Sequence, residues 1–266
     1  MDMNKTLSKD GTAIAFKKTG TGPSVILVDG AFCSSNFGPM PKLAPVLEKY
    51  FTVITYDRRA RGESGDTKPY DVQREIEDIE ALIDVAGGSA HLFSISSGAI
   101  LAIHAAASGL KISKLALFEP PFVGDREGRR PANAEAILNT MIAEKRRGDA
   151  VNFYLRKVMG LPAIITWILR LTPNWPKMKA NANSLPYDAY ICGDFNIPKQ
   201  QVSSLTMPTL VIASTKSPAM LRNAAHAVAE LLPNGTQISL DGKIHDVPPE
   251  ILGPVLQKFY NNRSEI

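Results

Sequence analysis

Ser96 lies in the run Ala90-His91-Leu92-Phe93-Ser94-Ile95-Ser96-Ser97-Gly98-Ala99, and the small residues around it mark it as a nucleophile. A hydroxyl is offered for attack when a strand turns sharply into a helix with the hydroxyl at the tip. Strand and helix nearly touch at such a turn, so the residues two before and two after the nucleophile must be small. Ser94 and Gly98 meet that demand, with Ser94 standing where glycine is usual. Ser97 is the rival nucleophile, but it would put Ile95 in a slot that needs a small side chain.

A serine hydroxyl attacks poorly near neutral pH. It needs a general base, an acid to orient that base, and donors for the developing oxyanion. The chain has 4 histidines. His91 falls inside an apolar strand, and His104 and His226 fall in helical stretches. His245 follows a strand and the loop Asp241-Gly242-Lys243-Ile244, just before the last helix. That is the place of the histidine in the chain order serine, acid, histidine.

The acid is harder to assign. The loop after the strand at 209–213 is its usual place, yet Ser214-Thr215-Lys216-Ser217-Pro218-Ala219-Met220 has no carboxylate. Asp194 lies before that strand. Asp246 is adjacent to His245, so its side chain should diverge from the imidazole. Glu119 ends the strand after the nucleophile's helix, at the carboxyl edge where sites form in open α/β sheets. It is the expected acid. The expected oxyanion donors are the backbone N–H of Ser97 and that of Ala31 in Asp29-Gly30-Ala31-Phe32, with Phe32 the second choice.

The elements that must carry these residues follow from periodicity. Residues 12–17 read as a strand of an N-terminal hairpin turning at Asp10-Gly11. The runs 24–28 and 51–56 are continuous and apolar, as expected of strands buried on both faces. Asp71 should cap a helix carrying Ile76, Ile79, Leu82 and Ile83, which ends at Gly87-Gly88. Strands are expected at 91–95 and 114–118, with an alanine-rich helix between them. From about 133 to 184 the period is helical, and three helices are expected at 134–147, 150–159 and 163–171. Strands resume at 209–213 and 237–240, and a helix with early prolines closes the chain at 249–260. The expected fold is α/β: a mostly parallel, doubly wound sheet with residues 1–122 and 200–266 as the core domain and 123–199 as an inserted helical cap. Phe32, Trp167, Trp175 and Met141 are the residues expected to wall a substrate pocket, with Met159 a further cap candidate.

Composition narrows the class. A chain of 266 residues with 44% hydrophobic residues can bury a large core. Its two cysteines, Cys33 and Cys192, form no CxxC and no zinc spacing, so neither a disulfide framework nor a metal site is expected. The net charge is +4, but residues 126–179 hold 11 Lys and Arg against 4 Asp and Glu. Such a stretch is either a solvated helical face or an attractor of anions. No basic run interleaved with aromatics suggests nucleic acid. The start, Met1-Asp2-Met3-Asn4-Lys5, lacks an apolar signal core, and the apolar stretch 161–169 is too short to span a bilayer. A cytoplasmic protein is expected, acting on a small molecule as a monomer or homodimer, with no membrane partner.

Together these residues resemble the α/β-hydrolase superfamily over nearly the whole chain. Asp57-Arg58-Arg59-Ala60-Arg61-Gly62-Glu63-Ser64 resembles its D-x-R-G-x-G-x-S loop, with Ala60 for the first glycine. Gly242 to Val247 with Pro249-Glu250 resembles its G-x-x-H-x-x-x-P-E segment, and Asp29 stands where many members have histidine. Two branches of that superfamily, the haloalkane dehalogenases and the zearalenone-type lactone hydrolases, place the acid after the strand that follows the nucleophile helix. The dehalogenases need an aspartate nucleophile. The lactone hydrolases share the S-S-G-A turn of Ser96-Ser97-Gly98-Ala99 and the Glu-x-Pro of Glu119-Pro120-Pro121. The resemblance implies a cofactor-free serine hydrolase of carboxylic esters or lactones, with Ser96, His245 and Glu119 as its triad. The alternative is a non-hydrolytic member: a lyase, an isomerase or a small-ligand receptor on the same fold.

Overall fold

The computed structural model describes residues 3–124 and 130–262. Met1, and Arg126 and Arg129 of the basic stretch, lie outside the described residues. The chain opens with the hairpin β1 (Asn4–Leu7) and β2 (Ala13–Thr19), then β3 (Ser24–Val28), α1 (Met40–Leu47), β4 (Thr52–Tyr56) and α2 (Val72–Val85). Next come β5 (Ala90–Ile95), α3 (Ser97–Ala107) and β6 (Ile112–Phe118). The described residues between β6 and β7 form helices: α4 (Ala134–Ala143), α5 (Arg147–Phe153) running into a π-helical turn (Tyr154–Val158), α6 (Ala163–Arg170), α7 (Asn174–Ala180), a 3₁₀ turn (Ala182–Ser184), α8 (Leu185–Cys192) and α9 (Lys199–Ser203). The chain closes with β7 (Thr209–Ser214), α10 (Ala219–Leu231), β8 (Gly235–Leu240) and α11 (Pro249–Asn261).

The strands form an eight-stranded sheet in the order β1-β2-β4-β3-β5-β6-β7-β8. Pairing is antiparallel at β1–β2 and β2–β4 and parallel from β4 to β8. Alternation along the central strands builds two apolar layers. Ile26 and Val28 of β3 pack on one face with Ile79 and Leu82 of α2 and Ile100 and Ile103 of α3. Val25 and Leu27 pack on the other with Leu43 and Leu47 of α1 and Leu252 and Leu256 of α11. This two-sided burial is why β3 and β4 read as continuous apolar runs. Asp71 caps α2 as its sequence suggests, accepting from the Gln73 N–H at 2.8 Å, a bond of the kind worth about 1 kcal/mol.

Local differences from expectation have local causes. The helix expected over 134–147 ends at Ala143, because Lys145 takes a left-handed φ of 60° and the chain restarts as α5. The helix expected over 150–159 begins earlier and finishes in the π turn. On α6 Thr166 is buried, while Ile164, Trp167 and Ile168 are exposed. Among the described residues no helix is long and apolar enough to cross a membrane.

Candidate active site

Ser96 sits between β5 and α3 with φ 55° and ψ −128°, a conformation that a side chain enters only under strain. Its amide donates to the Phe118 carbonyl at 3.0 Å, which ties the turn to the end of β6. Gly98 is required by close approach: a Cβ there would lie 2.5 Å from the Asp29 carbonyl oxygen and 2.7 Å from that of Val28. Gly30 performs the same service from the other side, since a Cβ on it would stand 3.0 Å from Ser96 Cβ. The loop after β3 therefore passes directly against the turn. Ser96 is half-buried, and its Oγ makes no hydrogen bond among the described residues.

His245 and Glu119 meet across the sheet edge. His245 Nδ1 lies 2.7 Å from Glu119 Oε2. That contact is short but bent away from ideal hydrogen-bond alignment, so Nδ1 lacks a well-aligned acceptor. The same Oε2 accepts from the His245 backbone N–H at 2.8 Å. Oε1 accepts from the Ser214 N–H at 2.8 Å and from Ser217 Oγ at 2.5 Å. Glu119 is fully buried. Burial alone would raise its pKa, but the His245 contact, the Ser217 hydroxyl and the Ser214 amide outweigh burial and hold it down at about 2. The acid-free loop after β7 thus supplies donors to an acid from β6. Asp194 is bound up in the turn it makes with Asn196, and Asp246 closes the tight turn that presents His245 by exchanging backbone bonds with Lys243.

The remaining histidines have other surroundings. His91 stacks on the Tyr260 ring at 4.7 Å, and burial, with Lys114 nearby, lowers its pKa to about 4. His226 is exposed beside Glu230. His104 lines a surface groove with Gln73 and Gln201 that does not include Ser96.

Seven non-glycine residues among those described have positive φ, and four of them are Phe32, Ser96, Glu119 and His245. Strained backbone concentrates where function holds it. The amides of Ala31, Phe32 and Ser97 make no hydrogen bond within the described residues. Phe32 packs edge-to-face on Tyr154 of the π turn, ring centres 5.3 Å apart, beside this loop. Met141 and Trp175 are partly buried against the core, and Trp167 is 58% exposed. Among the described residues no ring or polar contact joins any of these three to Ser96. Among the described residues no group of His, Cys, Asp or Glu is arranged to hold a metal ion.

A family model described as the alpha/beta hydrolase family matches residues 21–246. The chain belongs to that family. It is 44% identical to an alpha/beta hydrolase from Sphaerobacter thermophilus, with 97% of this chain and 100% of that one covered and a TM-score of 0.90. An enol-lactonase from Burkholderia xenovorans shares the fold at 19% identity, with 97% and 100% coverage and a TM-score of 0.68. An uncharacterized hydrolase of Bacillus subtilis is 30% identical over 104 residues, which span 38% of each protein.

In this alpha/beta hydrolase the Asp57–Ser64 loop is tied into a buried charge cluster. Asp57 of the Asp57–Ser64 loop accepts from the Ser35 and Glu63 amides at 2.6 and 2.9 Å. Ala60, in place of the motif's glycine, still adopts φ 63°. Arg59, at the motif's arginine, pairs with Asp78 and Asp10. Arg58 and Arg61 occupy the motif's variable positions, yet both are buried. Arg58 forks onto Glu75, and both arginines reach Asp188 of helix α8, at 2.9 and 2.7 Å. Ser97 Oγ donates to the same Asp188 at 2.9 Å. This cluster was not anticipated from the sequence. Its only sequence signal is charge at motif positions that do not require it.

Proposed function

We propose that this alpha/beta hydrolase cleaves a carboxylic ester or lactone through an acyl-enzyme on Ser96. The observation that carries the reading is the Glu119–His245 pair, 2.7 Å apart, set at the same sheet edge as the strained Ser96 turn. Ser96 Oγ attacks the substrate carbonyl carbon while His245 Nε2 takes its proton. Glu119 holds the imidazole through Nδ1 and stabilises the imidazolium as it forms. The Ala31 and Ser97 amides donate to the oxyanion. On collapse, His245 returns the proton to the leaving alkoxide and the acyl group stays on Oγ. A water, deprotonated by His245, attacks the acyl carbon, and the acid leaves with Ser96 restored. Each step balances without a cofactor.

A fluorophosphonate probe on the purified chain, with a panel of p-nitrophenyl esters and lactones, tests this. Wild type should label and turn over a member of the panel, and Ser96→Ala should do neither. Folded wild type that fails to label, or a Ser96→Ala variant that labels equally, rules out Ser96 as nucleophile.

A further inference from the structure

The loop 29–34 has its carbonyls pinned by side chains from elsewhere. Arg58 Nη1 donates to the Asp29 carbonyl at 3.2 Å. Arg61 Nη1 donates to the Gly30 carbonyl at 2.5 Å and to that of Cys33 at 3.2 Å. Asn181 Nδ2 donates to the Phe32 carbonyl at 2.8 Å. Arg58 is held by Glu75 of α2, and the remaining anchors of those donors come from the cap. Asp188 accepts from both arginines, and Ser184 Oγ accepts from Arg61 Nε at 2.8 Å. Asn181, Ser184 and Asp188 all lie in the short stretch 181–188.

Peptide geometry turns this clamp into a statement about catalysis. The Gly30 carbonyl and the Ala31 N–H belong to one planar trans peptide, so they point in opposite directions. A guanidinium fixed on the carbonyl fixes where the N–H points. Bonding at the oxygen also polarises the amide and strengthens the donor at the other end. A flipped peptide would aim the carbonyl, not the N–H, at the oxyanion. The cost side agrees. Burying charged clusters adds little net stability, so stability alone gives weak cause to bury Arg61 and Asp188, both fully shielded from solvent.

We propose that the cap stretch 181–188 assembles the oxyanion hole, with Arg61 as the positioning residue that Asp188 and Ser184 hold against the Gly30 carbonyl. The same Asp188 takes the Ser97 hydroxyl, so one cap carboxylate orients both donor-bearing segments. Cap docking and oxyanion binding are thereby a single event. This inference rests on the serine-hydrolase reading above.

The test compares wild type, Arg61→Lys and Asn181→Ala, each normalised by fluorophosphonate active-site titration so that misfolded protein is not counted. Turnover of p-nitrophenyl butyrate is measured beside the affinity for benzyl trifluoromethyl ketone, which forms a tetrahedral oxyanion on the serine. Arg61→Lys keeps the charge but loses the fork. It should lower kcat per titrated site about 100-fold, the scale of losing an oxyanion donor, with KM little changed and ketone affinity falling in step. Asn181→Ala removes the bonds from Asn181 Nδ2 to the Phe32 carbonyl and Ser34 Oγ and should show the same split at about tenfold. Wild-type kcat per site and ketone affinity in both variants, even with a lowered Tm, overturn the proposal and leave the network structural. A wild type that neither labels nor turns over esters removes the serine-hydrolase reading and this inference with it, a result separate from the variant comparison.

Discussion

Ser217 Oγ donates to Glu119 Oε1 at 2.5 Å, which joins the loop after β7 to the acid that ends β6. The loop where an acid usually stands has become the acid's support. Glu119→Gln keeps the shape but loses the charge that favours the imidazolium, so kcat should fall about 10³- to 10⁴-fold. Ser217→Ala leaves the Ser214 and His245 amides on the carboxylate and should cost about tenfold. Steady-state kinetics on the two variants measure both, and near-wild-type turnover in Glu119→Gln sends the search for the acid to Asp194 or Asp246.

Glu119 also sets a pH dependence of stability. Its carboxyl is held at about 2 against an ordinary 4.5. The unfolded chain therefore binds the proton first as pH falls, and stability is lost between about pH 4.5 and 2. Urea unfolding across that window should show a steeper loss in wild type than in Glu119→Gln. Equal slopes would mean that the carboxylate is not held in this way.

Asp29 works in the opposite direction. Burial raises its pKa to about 8, and Arg61 and Arg58 offset this only in part. The folded state keeps the proton that the unfolded chain releases near pH 4, so stability declines as pH rises from about 4 to 8. Asp29→Asn, which cannot ionise, should flatten that decline in a series of melting temperatures. An unchanged slope would show that the carboxyl ionises freely.

Gly98→Ala places a methyl 2.5 Å from the Asp29 carbonyl oxygen, against backbone that cannot swing aside. The turn must open, moving Ser96 from the loop that faces it. A loss of turnover by about 100-fold or more is expected, misplacement of about an ångström being enough for that. Full activity in a folded Gly98→Ala protein would show that the contact relaxes harmlessly.

Ala60 holds φ 63° at a motif position where glycine is usual. Left-handed backbone costs a residue with a Cβ about 1–2 kcal/mol, part of which glycine gives back as unfolded-state entropy. Ala60→Gly should therefore stabilise the protein by about 1 kcal/mol in urea unfolding. A destabilised variant would show that the Ala60 methyl packs usefully.

Much of the architecture was legible because its signals are local. Continuous apolar runs marked β3 and β4, since both faces of those strands are covered. The Asp71 cap, the closing helix and the switch to helical periodicity after β6 were read the same way. α1 was not assigned, because Met40–Leu47 carries prolines at 41 and 45, and α10 was visible only as a helical stretch around His226, without bounds. The small residues around Ser96 and the late loop at His245 were visible in chain order. Glu119 was reached by eliminating other carboxylates.

The sequence by itself therefore determined the fold, the serine turn and the histidine loop, since each rests on residue types within a few positions of one another. Tertiary structure alone decided what surrounds them. Ser217 stands 98 residues from Glu119, and Asp188 stands 130 from Arg58, 127 from Arg61 and 91 from Ser97. Pairings over such separations leave no periodicity and no spacing rule in the chain. They exist only because parallel strands bring their carboxyl ends to one edge and helix α8 packs on α3 beside it, burying charges that then bond to whatever the fold puts within reach.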